Sequence, residues 1–402
     1  VGDVHKLLSD ALVVIDHSIA ANRREDGLYH AYNIAGFNGD SVSVDHLYPM
    51  LEGQVAALSA GSIGPDEAAD VVEALFASPI YRPGQNSFML YPDRDLPGFL
   101  ERNRLPEDKV RAIPLLSNML EQGDERIVVV DAEGCVRFNA DFTNEGDISA
   151  ALDTLSAEHG AAVETDRAAI LELYEEVFSH KAFTGRSGTM FGFEGLGSIY
   201  WHMVSKLLLA LSENYCDAFD KDVDPAALRR LGDLYYRVRG GIGFNKTPAE
   251  YGAFPTDPYS HTPKHIGARQ PGMTGQVKEE VLTRFAELGI HVRDGRVSIT
   301  PALLRAREFA DEARSFCYLD VDGNWQDLDL PESSLAFTWC QVPFVYMLAD
   351  ADESMTLALN DGSSTSFSDL SLPADISESL FVRDGRVRKV TVSVSAERLF
   401  GD

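Results

Sequence analysis

Residues suited to binding an anion or a sugar are concentrated between Gly240 and Phe285. The part of this stretch up to Gly275 holds seven glycines and five prolines, so it cannot run as regular helix or strand. A loop of this length is usually either a binding loop or disordered, and its aromatic residues favour an ordered binding loop. Its polar candidates for phosphate or sugar contacts are Lys246, Tyr251, Asp257, His261, Lys264, His265 and Arg269.

Thr274 and Gly275 end this loop and open a predicted helix over residues 275–288. The helix carries apolar residues, among them Val281 and Leu282, on one face. Unpaired backbone amides at a helix start favour an anion or a sugar hydroxyl. The alternative is that Thr274 only caps the helix.

His261 and His265 have the spacing of a metal-binding pair on a helix, but Pro263 between them argues against helix. We therefore predict no metal site. The histidines and nearby cations are better explained as phosphate or sugar ligands, because a chain with net charge −28 has few other reasons to cluster positive charge.

Two carboxylates are candidates for a general acid. Glu194 lies between glycines in an aromatic segment, where a partly dry pocket would raise its pKa. Asp26 precedes an aromatic loop that contains His30. The alternatives are that Glu194 is stabilised by the dipole of the following helix, and that Asp26 is an ordinary turn residue.

Trp201 and His202 lie at the start of an apolar helix predicted over residues 198–213. Either they contact a ligand, or they are core residues and His202 is satisfied by a neighbour. Aromatic residues in the long loops leave the same two alternatives open, because they can stack on sugars or simply pack the loops.

The composition limits the classes of partner. The chain has 35 Lys and Arg against 63 Asp and Glu, so it repels nucleic acid and anionic membranes. No apolar run has transmembrane length, and the four widely spaced cysteines form no CxxC pair. We expect a cytoplasmic protein with reduced, buried thiols.

Helical periodicity alternates with long polar loops over residues 1–289. A β-hairpin is predicted over 126–142. This alternation is typical of an α/α toroid, whose loops gather at one mouth. The predicted helices are 3–22, 45–60, 65–77, 112–122, 147–158, 166–179, 198–213, 224–238 and 275–288.

From Ile290 onwards, alternating apolar and polar residues predict a β-rich region. The prediction is therefore a mainly α catalytic domain over 1–289, followed by a β-rich region over 290–402. Because the sequence begins at Val1 without Met, we expect the toroid to be incomplete and part of a longer protein. The expected partners are either a second copy of the chain or the remainder of that larger polypeptide.

A series of short motifs resembles the C-terminal part of the cellobiose and chitobiose phosphorylases, which are inverting enzymes with an (α/α)6-barrel of the six-hairpin glycosidase type. The resemblance implies that Thr274 and Gly275 bind phosphate, which would be a co-substrate, and it implies no other cofactor. The motifs are, in order, Pro258-Tyr259, Gly272-Met273-Thr274-Gly275, Leu288-Gly289-Ile290, Asp294-Gly295-Arg296, Ile299 and Pro301.

The chain departs from the pattern of that family at two positions. The family's phosphate-binding histidine falls at Phe193, so Glu194 or His202 would have to replace it. The segment matching the family's catalytic aspartate, residues 27–36, contains no Asp, and Asp26 is the nearest acid.

The first hypothesis is a carbohydrate-active enzyme that cleaves or reversibly phosphorolyses a glycosidic bond of a disaccharide or oligosaccharide with inversion. With phosphate as nucleophile it would be a glycoside phosphorylase, and with water a glycoside hydrolase. The second hypothesis is a carbohydrate-binding or assembly domain that kept the toroid and lost the acid.

Overall fold

The computed structural model describes residues 2–92, 97–179, 199, 201–242, 274–349 and 353–401, with the backbone alone for 274–277. These residues fall into two compact units. The main unit takes those within Val1–Tyr91, Ile199–Tyr251 and Gly272–Asp402, and the inserted unit those within Pro92–Ser198.

The helices follow local sequence signals closely. Pro65 and Pro225 occupy first helical positions, where proline's missing N–H costs no hydrogen bond. The described helices are α1 (Gly2–Ala21), α2 (Leu51–Ser59), α3 (Pro65–Ala77), α4 (Phe99–Arg102), α5 (Glu107–Ala112), α6 (Pro114–Gln122), α7 (Glu145–Phe178), α8 (Trp201–Asp220), α9 (Pro225–Arg239), α10 (Thr274–Leu288) and α11 (Ala374–Val382).

The strands before residue 289 that the structure describes form short antiparallel hairpins, and those after it form two hairpins and a five-stranded sheet. They are β1 (Asn33–Asn38), β2 (Ser41–His46), β3 (Tyr81–Arg82), β4 (Ser87–Phe88), β5 (Val128–Val130), β6 (Val136–Phe138), β7 (Ile290–Arg293), β8 (Arg296–Ile299), β9 (Arg314–Leu319), β10 (Trp325–Leu330), β11 (Ser334–Trp339), β12 (Val342–Ala349), β13 (Ser354–Leu359), β14 (Ser364–Phe367) and β15 (Val387–Ser395). The sheet order is β11-β12-β15-β13-β14, and its β12–β15 pair is parallel.

Three helices of the main unit run in the same direction. The Asn214 side chain, late in α8, donates to the Leu58 carbonyl at the end of α2 over 2.8 Å. Asp220 at the end of α8 pairs with Arg293, just after α10. The ends of α2, α8 and α10 are thus neighbours, and so their starts lie at one end of the main unit.

Helices α3 and α9 run in the opposite direction. A short connection of four residues after α8 makes α9 its antiparallel neighbour. Arg230 of α9 bridges Asp70 and Glu73 of α3, and the Arg237 guanidinium lies over the Phe76 ring. An α/α toroid requires neighbouring helices that alternate in direction, and these helices do so. That the helices close into a ring stays a prediction.

The main unit has two hydrophobic cores. The first lies among α2, α3, α8 and α9, with buried Leu58, Leu75 and Leu211. The second lies under the five-stranded sheet, where Phe344, Val390 and other inward residues meet α11. The change from helix to strand near residue 290 agrees with the predicted β-rich region, and the 289/290 domain boundary stays a prediction.

The inserted unit has a core of its own. Helices α5 and α6, the β5–β6 hairpin and α7 enclose Leu116, Phe138, Leu152 and Tyr174. Two helices were predicted where α7 stands. This prediction is confirmed, because α7 consists of two helices that meet at a kink, where His159 has non-helical backbone angles.

The predicted helix over 45–60 is wrong in its first part. Gly39, with φ +59°, closes a turn after Asn38, and the alternating residues that follow pair as β2 with β1. Helix α2 therefore begins only at Leu51. The strands of the hairpin are exposed except at Gly36, and Phe37 near its tip is 77% exposed.

The prediction of buried thiols is also wrong in part. All four cysteines are free, and Cys317, which pairs with Asp327 across the β9–β10 hairpin, is exposed. Cys135, Cys216 and Cys340 are half-buried. Of the described helices, none is long and apolar enough to cross a lipid bilayer.

Candidate functional site

The starts of α2, α8 and α10 form the candidate site, because segments with predicted ligand residues meet there. Met89 pairs with Ile199 in an antiparallel bridge two residues before α8. The Leu51 amide, at the start of α2, donates to the Leu90 carbonyl over 2.7 Å. The polar loop before residue 91 thus lies beside two helix starts.

Trp201 and His202 occupy the first turn of α8. The Trp201 side chain is 6% exposed and belongs to the helical core, which favours packing over stacking on a sugar. His202 is half-buried. Its role as a ligand stays a prediction.

His30 lies at the base of the β1–β2 hairpin. Its ring stacks on that of His46, with 3.8 Å between centroids and 13° between planes. Burial, and secondly the neighbouring His46, lower the pKa of His30. Among the described residues, its buried Nδ1 atom has no hydrogen-bond partner, so a neutral imidazole nitrogen remains for a ligand or a water.

Asp26 has the environment of a turn residue. Its carboxylate accepts from the Arg24 guanidinium at 2.8 Å and 3.0 Å and from the Leu28 amide at 3.2 Å. The hydrogen bond from Arg24 is the main reason why the pKa of Asp26 is lowered. A proton donor needs the opposite shift, so this geometry does not support Asp26 as the general acid.

Thr274 and Gly275 open α10, as the sequence predicted for this segment, and only their backbone is described. The remaining candidates lie outside the described residues and stay predictions: Glu194, Lys246, Tyr251, Asp257, His261, Lys264, His265 and Arg269. In the part of the chain that the structure describes, no group of three or more His, Cys, Asp and Glu side chains is placed to hold a metal ion.

Helix α10 buries its polar face. Glu279 is 3% exposed, Thr283 0% and Glu287 1%, whereas Val281 and Leu282 are 45% and 50% exposed. A surface helix normally does the reverse. Helices α8 and α9 pack on the side of α10 that carries the acids, and local patterns that conflict with burial are expected at functional sites.

Three segments that meet at the candidate site carry buried polar atoms that have no hydrogen-bond partner in the described part of the chain. They are Glu279 Oε2 on α10, Ser205 Oγ on α8 and Ser87 Oγ on β4. Leaving such a group unsatisfied costs about 1–3 kcal/mol, so water or ligand hydroxyls are expected here. Sequence reasoning missed these residues because Ser and Glu usually face solvent.

A buried charge network lies towards the C-terminal end of α10, the end opposite to the candidate site. The Glu287 carboxylate accepts hydrogen bonds from Tyr235 Oη at 2.6 Å and from Arg284 Nη1 at 2.7 Å, and it forms an ion pair with Arg239 Nε at 3.0 Å. The same Arg284 nitrogen reaches Glu308 at 2.6 Å. The network fixes Arg239, the last residue of α9, beside α10.

One segment of the chain matches a known family. Residues 96–181 match the family model described as GH149 phosphorylase insertion domain 2. The matched range lies almost entirely in the inserted unit, between Pro92 and Ser198. A search of curated proteins found no match. The match relates the chain to glycoside phosphorylases, but not to the cellobiose and chitobiose enzymes in particular.

Proposed function

We propose that this chain forms part of a carbohydrate-active enzyme of the glycoside phosphorylase kind, which cleaves a glycosidic bond in an oligosaccharide with inversion. The observation that carries the proposal is the family match over residues 96–181. In sequence, the matched unit is inserted between Met89 and Ile199, which pair within the main unit just before α8 begins. An insertion at this point borders the candidate site in sequence.

The site would use phosphate as nucleophile. Backbone amides of the first turn of α10, which Thr274 and Gly275 open, suit an anion. The cations Lys246, Lys264 and Arg269, with His202, His261 and His265, would complete phosphate and sugar binding. Tyr251, Asp257, His30 and Trp201 are the further sugar contacts proposed from the sequence.

The proton donor would be Glu194 rather than Asp26. The donor must hold a proton near neutral pH until it protonates the leaving oxygen. Arg24 stabilises Asp26 as a carboxylate, so we propose Glu194 as the general acid. We add Glu279 and Ser205 as groups for substrate hydroxyls, because each has a buried oxygen that no described residue meets with a hydrogen bond.

The test is an activity assay on a panel of disaccharides and oligosaccharides, with and without inorganic phosphate. We expect phosphate-dependent cleavage that releases a sugar phosphate of inverted configuration. Glu194→Gln should lower the rate about 10²–10⁴-fold, least on substrates with good leaving groups, because these need no protonation. Asp26→Asn is the matched control and should keep nearly full activity.

Three outcomes would change the proposal. Full activity of Glu194→Gln removes it as the acid, and a collapse only in Asp26→Asn transfers that role to the first loop. Cleavage that ignores phosphate makes the protein a hydrolase, which needs a second carboxylate at the spacing inversion requires.

The second candidate is a non-catalytic carbohydrate-binding or assembly domain. The ion-paired state of Asp26 favours it, since the acid nearest to the expected position is unsuited to proton donation. Oligosaccharide binding without turnover, unchanged in Glu194→Gln, would support this alternative. A homodimer, the remainder of a larger polypeptide, and the exclusion of nucleic acid and membranes stay predictions.

A further inference from the structure

The β-rich part of the main unit contains a groove that is lined by none of the candidate site residues that the structure describes. It lies between the β9–β10 hairpin and the strands β12 and β15, and its volume is about 420 Å³. Sites for small molecules occupy roughly 300–1,000 Å³, so the groove is large enough for a ligand. Below, this cavity is called the β groove.

A β-bulge places Arg388 on the wall of the β groove. In the ladder between β13 and β15, Ala358 pairs with Lys389 and Leu359 pairs with Val387. Arg388 between them faces no partner residue, so it is the extra residue of the bulge. Bulges redirect side chains and are frequent beside functional sites.

A second irregularity places Gln341 on the same wall. Trp339 pairs with Val342, so Cys340 and Gln341 form a two-residue turn, and their φ angles are +50° and +65°. Such turns normally contain Asn and Gly, because side chains disfavour this left-handed region. The side-chain amide of Gln341 donates to the backbone carbonyl of Asp320 over 2.8 Å. This hydrogen bond connects the turn to the β9–β10 hairpin. Backbone strain of this kind is concentrated at ligand sites.

The lining of the β groove carries both signs of charge. Arg388 and Lys389 face Asp320, Asp322 and Asp327 across it. Among the residues that the structure describes, neither cation has an ion-pair partner. They are therefore available to a ligand, in a chain of net charge −28.

The Asp320 carboxylate already accepts three hydrogen bonds within the β9–β10 hairpin. It accepts from the Asp322 amide at 3.0 Å, the Asn324 amide at 2.8 Å and Gln326 Nε2 at 2.8 Å. These bonds fix the hairpin tip, so Asp320 shapes the wall and leaves little capacity for a cation.

The mixture of charges decides the ligand class. An anion would be attracted by the two cations but repelled by the three carboxylates. A cation would be attracted by the carboxylates but repelled by the two cations. A neutral ligand rich in hydroxyls can donate to carboxylates and accept from Arg388, Lys389 and the side-chain amides. The ring of Tyr318 adds an apolar surface on which a sugar can rest. We propose that the β groove binds a stretch of a neutral oligosaccharide.

The choice of a glucose oligomer as probe rests on the proposed function, whereas the neutral, hydroxyl-rich chemistry rests on the groove alone. The experiment is calorimetric titration of the full chain with glucose hexasaccharides of α-1,4, β-1,4 and β-1,3 linkage, in phosphate-free buffer at two salt concentrations. At least one hexasaccharide should bind, and salt should change its affinity little, because the ligand carries no charge.

Two variants assign this binding to the β groove. Arg388→Ala should weaken it at least tenfold, while Arg314→Ala, an exposed arginine on β9 outside the groove, should leave it unchanged. Gln341→Gly relieves the strained turn, so it should weaken binding without lowering the melting temperature. Turnover of a disaccharide should be the same in all three variants.

The proposal is overturned if no hexasaccharide binds, or if Arg388→Ala binds as Arg314→Ala does. It is also overturned if inorganic phosphate binds instead, in a manner that depends on Arg388 and weakens with salt. Hexasaccharide binding that depends on Arg388 in a chain without turnover supports the groove and counts against the proposed activity, so the two failures are distinguishable.

Discussion

Asp26 and His30 show how strongly the environment of a single residue decides its chemistry. They lie four residues apart in one loop. Arg24 stabilises the charged form of Asp26, whereas burial and His46 disfavour the charged form of His30. Both shifts work against the use of these groups as acids near neutral pH, and a neutral His30 remains suited to hydrogen bonding.

His30 gives the first prediction at this scale. Because its pKa is lowered on folding, protonation favours the unfolded chain, so stability should fall as pH drops from the unfolded value of about 6.5 through the lower folded value. Proton NMR titration of the His30 ring should show a midpoint below that of an exposed histidine. The control His46→Asn should raise the midpoint only in part, since burial is the larger cause. A midpoint at or above about 6.5 would contradict the buried, stacked ring.

At the scale of elements, α10 is the most informative helix. Its buried Glu279 and Glu287 and its exposed Val281 and Leu282 reverse the usual arrangement. Burying a carboxylate is unfavourable unless it is paired, and Glu287 meets that condition through Tyr235 and two arginines. The network therefore places a polar helix face where α8 and α9 pack.

The charge network gives the second prediction. Glu287→Gln leaves Arg239 and Arg284 without their shared counter-charge in a buried site, so we expect a loss of about 3–5 kcal/mol in the free energy of unfolding. Urea denaturation measures the loss. The matched control is Asp217→Asn, which removes an exposed helical pair with Lys221 and should cost at most about 0.5 kcal/mol. Similar losses in both variants would show that the buried network adds no more than a surface pair.

At the scale of the whole molecule, the inserted unit carries the family match and its own core. The Arg102 guanidinium donates to Ser179 Oγ over 3.0 Å, and the Phe99 ring stacks on Phe178 at 6.3 Å. These contacts join the beginning and the end of the unit. A module with adjoining ends and a closed core should be able to fold alone.

That module gives the third prediction. Residues 97–179, expressed alone, should unfold cooperatively on heating, with the helical circular dichroism signal lost in a single transition. Leu152→Ala should lower the free energy of unfolding by about 2–5 kcal/mol, because Leu152 is fully buried in this core. A gradual loss of signal without a transition would show that the unit depends on the rest of the chain.

The sequence by itself determined the local structure wherever one signal decided it. Pro65 and Pro225 fixed helix starts, and the turn residues around Gly134 fixed the β5–β6 hairpin. Thr274 marked the start of α10, because a glycine-rich loop gives way to helical periodicity there. These signals are short-range, so they are read from neighbouring residues without knowledge of the fold.

Only the tertiary structure decided which surfaces are buried and which residues meet. Residues 45 and 46 fitted a helical pattern in the sequence, but they belong to the β1–β2 hairpin, because their pairing with β1 competes with helix formation. The buried acids of α10 could not be foreseen, because tertiary packing buries this face and α9 supplies Tyr235 and Arg239 as partners of Glu287. The site and the β groove depend on contacts between residues far apart in sequence, and no local pattern encodes such contacts.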